Sequence, residues 1–112
     1  MSIYNLESVW EMAGDDDAFV STIVQTFLEE IPPDLEEMNQ ALKARDAKAT
    51  YQKAHKMKPN LLMFGLDLLP EITILEAWAK RGEESDKVEE AAAEITRTVG
   101  QAEKELKADF NL

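Results

Sequence analysis

Cysteine is absent from the 112 residues, and histidine occurs once. The first absence excludes a disulfide framework, a zinc–thiolate site and a thiol nucleophile. The second excludes multi-histidine metal sites and leaves little material for a Ser-His-Asp triad. Glycine and proline are sparse at four each, and hydrophobic content is 45%, which is not the composition of a disordered chain. No apolar run approaches the roughly 20 residues that a membrane span needs. The N-terminal stretch MSIYNLESVW has no basic region followed by an apolar run, so no signal peptide is expected and the expected compartment is cytoplasmic. Cations are outnumbered, 12 Lys and Arg against 23 Asp and Glu, for a net charge of -11. Phosphate backbones want basic surface, so nucleic acid is a poor partner. The length fits one domain, 1–112, with a single sizeable core.

The scarce cations are unevenly placed. Between Lys43 and Lys58 stand six basic residues (Lys43, Arg45, Lys48, Lys53, Lys56 and Lys58) against the single acid Asp46. That is +5 in sixteen residues, so the remainder of the chain carries -16. A positive stretch on a negative body steers anionic groups to one place, although a charge run is also what an ordinary solvated helix face looks like. The only histidine, His55, lies inside this run.

Asp46 is a good N-cap for the helix that carries His55, and Gly65 is a good stop. Thr50, Ala54, Met57, Leu61 and Phe64 recur at three- or four-residue spacing and predict its buried stripe. His55 lies about 100° round from Ala54 and is expected to face outward. Lys58 falls one turn further along the same side, with Tyr51 and Gln52 one turn back.

The rest of the chain reads as helix throughout. Asn5 is placed to cap a short helix through Met12 that stops at Gly14. Asp15-Asp16-Asp17 opens a long helix, where acids complement the macrodipole and cap free N–H groups better than they make a cation site. Phe19, Ile23, Phe27, Leu28, Ile31, Leu35, Met38 and Leu42 keep helical phase toward Arg45, with a kink or brief break expected at Pro32-Pro33. After Gly65, Asp67 is placed to cap a helix with Pro70 in its first turn, carrying Leu69, Ile72, Leu75, Trp78 and Ala79 to Arg81-Gly82. Ser85 is placed to cap the last helix, with Val88, Ala92, Ile95, Val99, Ala102 and Leu106 as its stripe. Gly100 inside it costs about 1 kcal/mol relative to alanine, a cost that close packing is expected to offset. The expected fold is all-α, an antiparallel four-helix bundle with a short additional N-terminal helix.

Ala54-His55-Lys56-Met57-Lys58 followed by Phe64-Gly65-Leu66 resembles the A-H-x-L-K-G…L-G signature of histidine-containing phosphotransfer (HPt) domains. The resemblance extends upstream through GDDDAFVSTIVQTFLEEIPPDLEEMNQALKARDAKA, which is similar to the family's first bundle helix. It implies a carrier that accepts a phosphoryl group from one receiver-domain aspartate and passes it to another. On this resemblance His55 is the phosphoacceptor and Lys58 neutralises the phosphoryl charge. Tyr51, Gln52, Lys56, Pro59, Leu62 and Arg81 form the expected partner-binding set. The implied partners are receiver domains of response regulators and hybrid histidine kinases, met by a monomer. The protein needs no cofactor of its own, and Mg²⁺ is expected in the partner receiver. Two positions depart from the pattern. Pro59 stands where relatives have glycine or another small residue, and Ala77 stands near the place of a glutamine that contacts the histidine region.

The chemistry asks little of this chain. A histidine near its ordinary pKa of about 6.5 keeps a free ring lone pair at neutral pH and needs no activating base. In-line positioning and charge neutralisation do the rest. No Gly-rich nucleotide loop is present, which favours a phosphocarrier over an ATP-using kinase. Two other readings stay open on the residues alone. One is a degenerate HPt-like module that docks a receiver or kinase without carrying phosphate, and the other is an unrelated helical adaptor.

Overall fold

The computed structural model describes residues 3–82 and 86–112, and every regular element in them is helical. α1 is Glu7–Ala13, α2 Asp17–Lys43, α3 Ala47–Met63, α4 Leu69–Arg81 and α5 Asp86–Asp109. α3 lies between α2 and α4, α4 packs on α5, α5 returns to α2, and α1 covers part of α2. At 1.5 Å per residue α2 is about 40 Å long, close to the 44 Å long axis of the molecule. It is the spine of the bundle.

The ends of the helices follow the sequence closely. Asp16 caps α2 by accepting from the backbone N–H groups of Ala18 and Phe19, and Asp46 caps α3 by accepting from Ala49. Gly14, Gly65 and Gly82 take positive φ after α1, α3 and α4. Two expected caps are not used as such. Asn5 accepts from the N–H of Glu7, but the N-cap position of α1 belongs to Leu6. Asp67 lies one residue too early, and α4 starts from Leu68 with no side-chain cap and Pro70 in the first turn. The expected cap Ser85 lies outside the described residues.

α2 runs unbroken through Pro32 and Pro33 for 27 residues. The two prolines cannot donate to the carbonyls one turn back, yet the apolar phase on either side is the same, and packing holds the helix together. Its buried stripe is Val20, Val24, Phe27, Ile31 and Met38, joined by Asp34. The stripe therefore starts one residue later than Phe19 and Ile23, and Phe19 is 48% exposed. Both phases are apolar over these first turns, so periodicity did not separate them.

On α3 the expected stripe of Thr50, Ala54, Met57, Leu61 and Phe64 is buried throughout. On α5 all six expected positions are buried, together with Ala91 and Thr98. On α4 the core positions are Ile72, Leu75 and Trp78, whereas Leu69 is 40% exposed. Gly100 is exposed, and a Cβ added to it would meet nothing within 4 Å. No packing offsets its cost.

Gly65 is needed for two reasons. Its φ of 71° is a conformation that side chains disfavour, and a Cβ there would come within 2.7 Å of the Asn5 Cβ. The chain before α1 lies against this corner, with the Asn5 N–H bonded to the Phe64 carbonyl at 2.8 Å. Beside it the Phe27 and Phe64 rings stack at 4.3 Å between centroids. The end of the histidine helix is thereby fixed to α2 and to the N-terminal segment.

Candidate functional site

α3 has three working sides, and its sequence separates them. At about 100° per residue, the core residues cluster in one direction. Tyr51, His55, Lys58 and Leu62 form a second row turned toward α4, while Lys53 and Lys56 form a third turned toward α2. The third row is tied down. Lys56 Nζ lies 3.0 Å from Asp34 Oδ1, an acid only 6% exposed on α2, and Lys53 pairs with Glu37. The Lys53 hydrogen bond holds the Glu37 carboxyl below its ordinary pKa, and Glu37 in turn raises Lys53. Arg45 pairs with Glu89 on α5. Three of the six cations read from the sequence as one positive field thus bind acids of neighbouring helices. The field around His55 is correspondingly weaker than the linear count implied.

The second row is different. His55 is exposed, and Leu62, two turns along, is 46% exposed. Tyr51 stands one turn before His55, with ring centroids 5.5 Å apart. Its hydroxyl donates to Glu76 Oε2 at 2.7 Å and lies 3.4 Å from His55 Nδ1. Glu76 comes from α4 and sits next to buried Leu75, which sets its position across the seam. Lys80, one turn further on α4, puts its Nζ 3.8 Å from the same Glu76 oxygen and 5.6 Å from the centre of the Tyr51 ring.

The electrostatics follow from these contacts. The Tyr51 hydrogen bond holds the Glu76 carboxyl below its ordinary pKa, helped by Lys80 and, more weakly, by Lys58 and Arg81. Tyr51 is pushed up, first by donating to Glu76, then by burial and by the Glu76 charge. Cations from two helices therefore converge on one carboxylate beside the histidine.

The sequence placed His55, Lys58 and Tyr51 on this row; the structure brings Tyr51 against His55 and puts Lys58 within electrostatic reach of Glu76. Gln52 and Pro59 are exposed on the outer side of α3. α3 continues through Pro59 to Met63, although proline cannot donate to the His55 carbonyl. Arg81 is exposed at the end of α4, close enough to act on Glu76. Lys56 is mostly exposed along its stem while its ammonium is held by Asp34. Sequence reasoning missed Glu76 and Lys80. It noted only that Ala77 stands near the place of the relatives' glutamine, whereas Glu76, one position earlier, reaches across to Tyr51. The i, i+4 spacing of Glu76 and Lys80 was the available signal.

Among the described residues no group of three or more His, Cys, Asp or Glu is placed to hold a metal ion, and no helix is long and apolar enough to cross a membrane. The described helices thus present an exposed imidazole, His55, on the flank of α3 beside the Tyr51–Glu76–Lys80 contacts. A family model for the Hpt domain matches residues 22–108, and the chain belongs to the Hpt domain family. The matched region takes in most of α2, all of α3 and α4 and nearly all of α5, and leaves out α1 and the first turn of α2. No curated protein and no solved structure matches the chain. Membership gives the protein a histidine phosphotransfer role in two-component signalling, in which Hpt domains interact with receiver domains.

Proposed function

We propose that this protein is a phosphorelay carrier, an antiparallel four-helix bundle with α1 as an added cover, in which His55 accepts a phosphoryl group from a receiver aspartate and passes it to a second receiver. The observation that carries this reading is the exposed His55 on the row of Tyr51, Lys58 and Leu62. In the step, a ring nitrogen lone pair forms the N–P bond as the P–O bond to the aspartate breaks, and the carboxylate leaves with that electron pair. Lys58 neutralises the phosphoryl oxygens without forming a bond. Tyr51, Gln52, Pro59, Leu62 and Arg81 frame the docking face, with the exposed stem of Lys56 at its edge. The receiver supplies Mg²⁺ from its own acidic site. The chain acts as a monomer in the cytoplasm.

Pro59 favours a second reading, a module that docks a receiver without accepting phosphate. Transfer from a phosphorylated receiver with Mg²⁺, comparing wild type with His55→Gln, separates the two. Acid-labile, base-stable label on wild type alone supports the carrier. Binding to receivers without label on either protein supports the docking module. His55→Gln is expected to keep full helicity because the side chain is exposed.

A further inference from the structure

The seam beside His55 contains a hydrogen-bond chain that runs from α4 to the imidazole. Glu76 is ionised at neutral pH and can only accept. The Tyr51 hydroxyl has one proton, and the 2.7 Å contact places it on Glu76 Oε2. Toward His55 Nδ1, 3.4 Å away, the Tyr51 oxygen then has only lone pairs to offer. The contact is satisfied when Nδ1 carries the imidazole proton and is left unmet when Nδ1 is bare.

We propose that Tyr51 and Glu76 are positioning residues that set the tautomer of His55, holding the proton on Nδ1 and leaving the lone pair on Nε2. Glu76 acts through Tyr51 and touches no reacting atom. The assignment rests on the phosphocarrier reading for its purpose, but the tautomer itself does not depend on that reading. A neutral imidazole free in water prefers its proton on Nε2, so an unguided His55 would spend most of its time with Nδ1 bare toward Tyr51 and with Nε2, the nitrogen on the far side, protonated and unable to attack. With the chain in place, Nε2 attacks phosphorus, the N–P bond forms as the P–O bond to the receiver aspartate breaks, and the carboxylate leaves. The Nδ1 proton stays where it is, facing the Tyr51 oxygen, and no proton has to move before attack. Lys80 supports the arrangement from outside. Its ammonium lies over the Tyr51 ring and near Glu76, which keeps the carboxylate ionised and hence an acceptor.

The test is long-range ¹H–¹⁵N correlation NMR of the full chain at a pH where the imidazole is neutral, which reads the protonated nitrogen of the single histidine directly. Wild type is expected to show the Nδ1–H pattern. Tyr51→Phe keeps the ring and removes only the hydroxyl, and it is expected to shift to a majority of Nε2–H. Glu76→Ala frees the Tyr51 proton to be donated to Nδ1, and is expected to give Nε2–H as well. Glu76→Gln retains an acceptor oxygen and is expected to restore the wild-type pattern, a rescue that a purely structural role would not produce. An Nε2–H majority in wild type overturns the proposal, as does a wild-type pattern that survives both Tyr51→Phe and Glu76→Ala. With a receiver donor, the acceptance rate of Tyr51→Phe is expected to fall in proportion to the lost Nδ1–H population. A protein that shows the Nδ1–H pattern and never accepts phosphoryl keeps the tautomer assignment and removes the carrier reading.

Discussion

The two seams along α3 use the same kinds of residue for opposite ends. Toward α2, Lys53 and Lys56 meet Glu37 and Asp34 in direct pairs, and Asp34 is buried. Toward α4, Tyr51 takes the place of the lysine and bonds Glu76, while Lys58, Lys80 and Arg81 surround the carboxylate without closing over it. The first seam spends its cations on acids of its own fold. The second gathers its cations around one acid beside the exposed His55, with Lys80 paired to Glu76 at 3.8 Å and Lys58 and Arg81 acting on the same carboxylate more weakly. Linear sequence makes the six cations from Lys43 to Lys58 look like one field, although Lys53 and Lys56 belong to the first seam and Lys58 to the second. Helix geometry divides them into fasteners and a site.

The comparison breaks most clearly at adjacent lysines. Lys56→Ala leaves the Asp34 carboxylate buried without its ion pair, and an unsatisfied buried group of this kind costs about 1–3 kcal/mol. We expect a drop of several degrees in melting temperature, with phosphoryl acceptance retained. Lys58→Ala is expected to do the reverse. Stability should stay within about 0.5 kcal/mol, as at most surface positions, while acceptance slows about tenfold, the worth of roughly 1.4 kcal/mol at the barrier. Thermal melts and transfer rates on both variants decide the matter. Equal effects of the two lysines on both measurements would erase the distinction between the seams.

This division marks how far the sequence could be read. Where one helix buries one stripe, as Thr50 to Phe64 on α3 and Val88 to Leu106 on α5 do, spacing alone located the core. It slipped where two adjacent phases are both apolar, at Phe19 and Val20 or Ile23 and Val24, because only tertiary packing chooses between them. That His55 and Lys58 share one side of α3 was legible because they lie one turn apart on one helix. The partners of Lys56 and Tyr51 were not, because Asp34 and Glu76 come from other helices and no local period links them. Ala77 was named only because the resemblance puts a glutamine near its position, and that comparison says nothing of Glu76 beside it. One residue along α4 swings a side chain by about 100°, so Glu76 and Ala77 present different sides of a helix whose core positions Ile72, Leu75 and Trp78 lie as expected.

Acid pH sharpens the comparison further, with a smaller effect. Glu37 has a folded pKa lowered chiefly by the Lys53 hydrogen bond, so its contribution is complete above the unfolded value of 4.5 and is lost as pH falls through the lowered folded value. Chemical unfolding of Glu37→Gln from pH 7 to pH 3 is therefore expected to show a shallower loss of stability than wild type below pH 4.5. Because the pair is exposed, added salt should shrink the difference. Identical pH slopes in the two proteins would remove Glu37 from the fastening set.

The smallest effect lies on the other seam and has the opposite sign. Tyr51 has a folded pKa raised above 10.0, first by donating its proton to Glu76, then by burial and by the carboxylate's charge. A phenolate there would lose the donated bond and face Glu76 as a like charge. The stabilisation is thus fully present below pH 10 and disappears as pH rises through the raised value. Ultraviolet titration of the tyrosines should show a component above pH 10 that Tyr51→Phe removes. Glu76→Gln keeps an acceptor but removes the charge, and should bring that component part of the way back toward 10. Full return in Glu76→Gln would mean that the charge alone raises Tyr51. No return would mean that the hydrogen bond and burial do so. The α2 seam has no tyrosine between its charges, and the other tyrosine, Tyr4, bonds Asp109 at the end of α5, so the component that Tyr51→Phe removes is the part of the signal that reports on the histidine side of α3.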